Sequence, residues 1–323
     1  MEAAFKRKIY VDLIKAFGII FVILGHANFA NDYVKEWLYS FHMPLFFFAT
    51  GLTLKISKID KVYVCKKIQV LCVPFLIWEL IYSGYSLNKM PLLLYGSYWS
   101  INKGGSLGSL WFLPTMFCAL IYVQLLLKIK NKVLLCLGMV VLFLGGVYIP
   151  HISRGYFWCA DVAFMAAFFI LCGFFFEKNK KQFSKKKLTV LAILSFLGTL
   201  LFLLDPLNET EYVLMADRRF GNPVIFLIVA LAGCLMTYFV AKLIECESRV
   251  IKILSYIGMN SLIIFITHKP LLVFFRKFFS VIAGVPWFLE LLVIVLGVLT
   301  IELLLTYFIN KFAPALAGKN CSK

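Results

Sequence analysis

The chain has 323 residues, of which 62% are hydrophobic and only 15% charged, with 33 Lys and Arg against 16 Asp and Glu for a net charge of +17. A soluble domain of this length does not carry so apolar a composition, so the solvent for most of the chain is lipid. The positive surplus does not point to nucleic acid, because the basic residues lie in short loops between apolar runs and no soluble region presents them as a groove.

In chain order, apolar stretches recur that are each long enough to cross a hydrocarbon core of roughly 30 Å as a helix. They predict helices over 10–30, 41–55, 66–84, 108–127, 133–149, 157–176, 187–204, 221–241, 251–274 and 287–309. The runs 188–204 and 224–240 are continuously apolar, whereas the strands of a membrane barrel alternate. The expected fold class is therefore all-α, a polytopic membrane protein built as a bundle of about ten transmembrane helices. Residues 1–323 read as one integral-membrane domain, with no separate soluble domain and no internal repeat.

The loops then carry a topological signal. With the N-terminus inside, 23 of the 33 basic residues fall on the inner side, nine fall on the outer side, and Lys15 lies within the first helix. That bias places both termini in the cytoplasm. Lys6, Arg7 and Lys8 precede the first apolar run as they would in a secretory signal. The run is long, has no small-residue cleavage site and contains Asp12, Lys15 and His26, so it is expected to remain as a span. The longest polar stretches, 83–109 and 205–222, fall outside, and the second carries Asp205, Glu209, Glu211 and Asp217. The nine cysteines form no Cys-x-x-Cys pair and mostly sit inside apolar runs, which suits packing and gives no metal site.

Ionisable side chains inside hydrocarbon are costly and so mark places to look for function. Lys15 and His26 are separated by 11 residues. That is about three turns, so they share one helix face about 16 Å apart along the axis. Asp12 lies on the same side near the cytoplasmic end, where an ion pair with Lys15 at the interface is the structural alternative to a functional role. His42 at the start of the second expected helix, His268 in the ninth and His26 in the first fall at a similar depth toward the outside. Trp99, Trp111, Trp158 and Trp287 lie near the outer boundary, as an interfacial belt would, and Trp99 and Trp111 also suit stacking on a sugar ring.

The stretches Asp12-Leu13-Ile14-Lys15, Gly25-His26, Phe41-His42-Met43-Pro44-Leu45-Phe46-Phe47 and Gly51 resemble acyltransferase family 3 of bacterial membranes, whose motif is a basic residue, ten intervening residues and a histidine. Leu110-Trp111-Phe112-Leu113-Pro114 and Tyr256-Ile257-Gly258-Met259-Asn260-Ser261-Leu262, leading to His268, extend the resemblance from residue 10 to about 270. The sequence departs from the family in carrying Lys15 where Arg is frequent, and Thr115 and Met116 where many members have a glutamate. Lysine is a point charge without the planar fork of arginine.

The resemblance implies an O-acetyltransferase of the bacterial inner membrane, similar to fucose 4-O-acetylase-like members, with acetyl-CoA as acyl donor substrate and no bound cofactor. The acceptor it implies is a sugar hydroxyl of a cell-surface or extracellular polysaccharide or of its lipid-linked precursor. His26 is then the expected general base, because a neutral imidazole takes a hydroxyl proton near pH 7. Lys15, with Lys66 and Lys67 at the mouth of the third helix, is expected to hold the anionic donor. Asp12, His42, His268 and Trp111 are expected in acceptor-side or supporting roles. Direct transfer and an acyl-histidine both remain open, as does another donor such as succinyl-CoA. The rival reading is a transporter or flippase of glycans or lipids, which also places charges near the midplane.

Overall fold

The structure is a computed structural model that describes residues 8–27, 32–105, 108–205, 212–280, 282 and 285–319. Lys6, Arg7, Glu209, Glu211 and Lys323, used in the charge argument, lie outside the described residues. The described chain is helical throughout, with no strand and one isolated antiparallel bridge between Leu214 and Arg219. In order the helices are α1 (Ile9–His26), α2 (Asp32–Tyr39), α3 (His42–Gly51), α4 (Lys61–Lys67), α5 (Val73–Tyr82), α6 (Met90–Tyr95), α7 (Tyr98–Lys103) and α8 (Phe112–Leu126). They continue with α9 (Lys132–Tyr148), α10 (Val162–Asn179), α11 (Lys185–Thr199), α12 (Pro223–Ile244), α13 (Arg249–Met259), α14 (Ser261–Phe279) and α15 (Trp287–Phe312).

Polar caps punctuate the apolar runs. Asn131 accepts hydrogen bonds from the amides of Val133 and Leu134, Asn222 from those of Val224 and Ile225, Ser184 from Lys187 and Ser248 from Ile251. Each satisfies amides at a helix start that have no partner within the helix. The faces of α9, α11 and α15 stay apolar and exposed, with Val140, Leu144, Ile193, Leu197, Leu296, Leu304 and Phe308 all outward. Such a continuous apolar surface is what a lipid-facing ring of helices presents.

Among the described residues six helical stretches are long and apolar enough to cross a membrane: α1, Ser109–Leu126, Phe157–Asn179, Lys185–Leu204, α12 and α15. A seventh arises if α13 and α14, bent by 83° at Asn260, count as one span. The structure thus supports a multi-pass all-α protein with six or seven crossings identifiable by length. Of the other four expected spans, 133–149 forms α9, a shorter apolar helix of 17 residues, and three take other forms. The stretch 41–55 becomes α3, only ten residues long and buried on nearly every side, at the centre of the bundle against α1, α10 and α12. The stretch 66–84 becomes α4 and α5 joined by a π-helical turn, Ile68–Cys72, just ahead of Pro74, whose missing amide disrupts regular helix pairing. The expected single helix 251–274 breaks at Asn260: its side-chain amide donates to the Tyr256 carbonyl at 2.8 Å, and its oxygen accepts from Asn310 and Lys319 at 2.9 Å each.

Gly51 and Gly173 are points of close approach. A Cβ on Gly51 would lie 2.1 Å from the Ile170 carbonyl oxygen, and one on Gly173 the same distance from that of Phe48, so α3 and α10 touch backbone to backbone. Small residues serve this purpose between membrane helices, where no hydrophobic drive pulls helices together.

Candidate active site

Helix α1 delivers His26 at its last turn, where Arg276 of α14 donates a hydrogen bond to the His26 carbonyl. The guanidinium thereby supplies a donor to a helix end that lacks one and places positive charge at the negative end of the helix dipole. The His26 ring faces two elements. Its Nδ1 lies 2.8 Å from the Tyr39 hydroxyl of α2, and its ring stacks on His268 of α14 at 5.4 Å between centroids and 27° between planes. Tyr39 stands edge-on to His42 of α3 at 4.8 Å and to Tyr212 at 4.5 Å. Gly25 makes room for this arrangement, since a Cβ there would meet the Tyr39 ring at 3.0 Å.

Hydrogen bonding fixes the tautomers of two of the three histidines. His42 Nδ1 is 2.7 Å from the Leu38 carbonyl and His268 Nδ1 is 3.1 Å from the Ile264 carbonyl. A carbonyl only accepts, so in the neutral rings both Nδ1 atoms carry the hydrogen and both Nε2 atoms are the basic nitrogens. His26 differs, because its Nδ1 partner is a hydroxyl that can donate or accept. When Nδ1–H donates to Tyr39 Oη, His26 Nε2 is free to take a proton. Tyr39 is then the orienting third group of a base arrangement.

The stretch of α14 beneath His268 is held from outside the helix. Pro270 has no amide, so the Ile266 carbonyl four residues earlier loses its helical partner, and the Tyr82 hydroxyl donates to it at 2.9 Å. Thr267 Oγ1 lies 2.8 Å and 2.9 Å from the two carboxylate oxygens of Glu302 on α15, a side chain with no exposed surface.

Two cavities flank this constellation. The one at the His26 end of α1, outer by the expected topology, is about 250 Å³ and is lined by His26, Tyr39, His42, Tyr98, Trp111 and Lys269 among others. The inner one, about 260 Å³, is lined by Lys15, Lys67, Thr50 and Ser261 with Phe46, Phe112 and Phe265. Those three rings form a cluster with centroids 5.2–6.2 Å apart, and Phe265 lines both cavities. Lys15 and His26 therefore stand on opposite sides of an aromatic partition, as their axial separation along α1 requires.

Of the residues singled out from sequence, His26, His42 and Trp111 line the outer cavity, and His268 lies behind His26. Lys15 and Lys67 meet in the inner cavity. Lys66 is exposed and lines neither cavity. Asp12 is buried where α1 meets α13 and likewise lines neither. Sequence reasoning missed Tyr39, Lys269, Arg276, Tyr82 and Glu302. Glu302 carried a legible signal, an acid within an apolar run, whereas Tyr39 acquires its meaning only from a tertiary contact. Among the described residues no three His, Cys, Asp or Glu side chains converge to hold a metal ion.

The sequence model of acyltransferase family 3, an acyltransferase domain, matches residues 8–307. No curated protein and no solved structure matches the chain. Matched over nearly all of its length and built from apolar membrane-length helices around the motif histidine, the chain belongs to acyltransferase family 3 and is a multi-pass membrane acyltransferase.

Proposed function

We propose that the protein transfers acetyl from acetyl-CoA on the cytoplasmic side to a sugar hydroxyl of a cell-surface or extracellular polysaccharide, or of its lipid-linked precursor, on the outer side of a bacterial inner membrane. It would act in the manner of fucose 4-O-acetylase-like enzymes. The observation that carries this reading is the pair of cavities sharing Phe265, one with the cations Lys15 and Lys67 and the other with His26. Lys15 and Lys67 attract the phosphates of the donor, and Lys66 adds to the positive surface at that mouth. The slender thioester arm then reaches between the three phenylalanines toward His26.

In the outer cavity His26 Nε2 takes the proton of the acceptor hydroxyl as its oxygen bonds to the acetyl carbonyl carbon. The carbon–sulfur bond breaks, and the CoA thiolate leaves and recovers the proton from the imidazolium. Lys269, lining the same cavity, offers positive charge to the oxyanion that forms between the two steps. If acetyl is first carried on the imidazole, the same residues serve both halves. A transporter of glycans or lipids lacks comparable support, because the matched family is one of acyltransferases.

Oriented vesicles test donor, acceptor and sidedness together. Inverted membrane vesicles enclosing de-O-acetylated polysaccharide are expected to gain acetyl ester on the enclosed glycan when acetyl-CoA is added outside. Right-side-out vesicles are expected to require acetyl-CoA within. Ester formation only when donor and glycan share a compartment would reject the transmembrane route. No ester in either format would reject acetyl transfer to glycan.

A second expectation concerns Lys15. Lys15→Ala is expected to raise the acetyl-CoA KM about tenfold, the loss of one charge-assisted contact, with a small change in kcat, and Lys15→Arg to stay near wild type. A drop in kcat at unchanged donor KM would show that Lys15 serves the chemistry instead of donor binding.

A further inference from the structure

Beside the His26 cavity lies a larger one of about 470 Å³. Tyr98 and Ala216 line both, so the two share a wall on the outer side. The larger volume falls in the range typical of ligand sites, roughly 300–1,000 Å³, whereas the His26 cavity, at about 250 Å³, lies below it. Its walls are braced. The Arg218 guanidinium, 1% exposed, pairs with Asp161 at 2.9 Å and donates to the carbonyls of Ile149 and Pro150 at 2.6 and 3.3 Å. Across the cavity the Ser97 hydroxyl donates to the Arg154 carbonyl at 2.6 Å, and Cys159 Sγ lies 3.4 Å from the Gly96 carbonyl.

The backbone there is strained as well. Trp158, Cys159 and Arg218 have φ of 53°, 49° and 53°, left-handed values rarely adopted by residues with side chains. Such strain persists only where the surroundings over-determine it, and it concentrates at binding and catalytic sites. The lining suits carbohydrate. Tyr98, Trp99 and Tyr156 offer ring faces, while Asn102, Ser153 and Asp217 offer hydrogen-bonding groups. The charges balance, Lys103 and Arg218 against Asp161 and Asp217, which disfavours a polyanion such as a nucleotide diphosphate.

We propose that this larger cavity is a glycan subsite that binds the sugars flanking the one being acetylated, so that the acceptor is a chain of at least two sugars and not a free monosaccharide. This rests on the reading that acetyl is transferred at His26. Trp99, half-buried with Lys103 Nζ 5.7 Å from its ring centroid, is the stacking platform.

The test uses the full chain in detergent with acetyl-CoA and with de-O-acetylated surface polysaccharide of the producing cell, cut and sized into mono-, di- and tetrasaccharides. The kcat/KM for acceptor is expected to rise by about tenfold or more from mono- to tetrasaccharide, the scale of one good aromatic contact. Trp99→Ala is expected to abolish that preference, and Trp99→Phe to keep most of it. If Trp99→Ala fails to elute as a single folded species, Lys103→Gln combined with Asp217→Asn is expected to weaken the same preference. Equal turnover of all three lengths overturns the subsite and leaves acetyl transfer standing. Binding is read apart from chemistry by tryptophan fluorescence of His26→Ala titrated with the tetrasaccharide. Saturable quenching that vanishes when Trp99→Phe is added supports the subsite even if turnover fails in every sample, and no quenching overturns it.

Discussion

Replacing His26 with alanine is expected to lower acetyl transfer by about 10²- to 10⁴-fold, the usual contribution of a general base, and by more if the imidazole also carries the acetyl group. The fold should survive. The side chain is only half-buried at the end of α1, and among the described residues its polar partner is Tyr39 at 2.8 Å, so its loss costs about 1 kcal/mol, the net worth of one hydrogen bond. Tyr39→Phe keeps the imidazole but loses the group that holds its tautomer, and should fall between wild type and His26→Ala in kcat. His42 is the necessary comparison, because the Leu38 carbonyl already leaves its Nε2 as the basic nitrogen and it lines the same cavity. The measurement is acetyl-CoA turnover with acceptor glycan by variants matched for monodisperse folded protein. Near-normal turnover by His26→Ala together with collapse in His42→Ala would move the base from α1 to α3.

Much of this arrangement is legible in the sequence because lipid imposes a simple rule. A backbone in hydrocarbon must satisfy its own hydrogen bonds, so apolar runs of membrane length become helices, and charges within them stand out. The spacing from Lys15 to His26 foretells two levels on one helix face, each of which lines its own cavity. What escapes is tertiary. The run 251–274 is apolar on both sides of Asn260, and nothing local announces the 83° corner, which depends on Asn310 and Lys319 arriving from elsewhere. Arg276 reads as one more outer loop cation until it is seen donating to the His26 carbonyl. Lys66 and Lys67 are neighbours in sequence, yet helical rotation turns only Lys67 into the inner cavity. Glu302 obeys the same rule as Lys15 and His26, an acid within the last apolar run, and its partner Thr267 comes from another helix.

Gly258→Ala should have the largest structural effect of any conservative change, because it strikes the contact that sets the position of α1. A Cβ at residue 258 would lie 1.8 Å from the Asp12 carbonyl oxygen, 2.7 Å from its carbon and 3.1 Å from the Ala16 amide nitrogen. All three are backbone atoms inside a helix, so no rotamer change relieves the clash, and α13 and α1 must move apart by more than an ångström. Overpacking of this kind costs about 1–3 kcal/mol and more where the neighbours cannot yield. The cost reaches function, because Lys15 lies on the next turn of α1 beyond Asp12 and His26 ends the same helix. Folded protein that survives should therefore bind acetyl-CoA poorly as well as unfold at lower temperature. Gly138→Ala supplies the contrast, since its Cβ would meet only the side-chain end of Leu126, at 2.8 Å from a methyl that can rotate away. That variant should stay close to wild type, with any gain coming from the better helix propensity of alanine. Thermal unfolding in detergent, followed by loss of monodisperse elution, reads both. A Gly258→Ala protein as stable as Gly138→Ala, with an unchanged donor KM, would mean that α1 and α13 do not approach as closely as the structure places them.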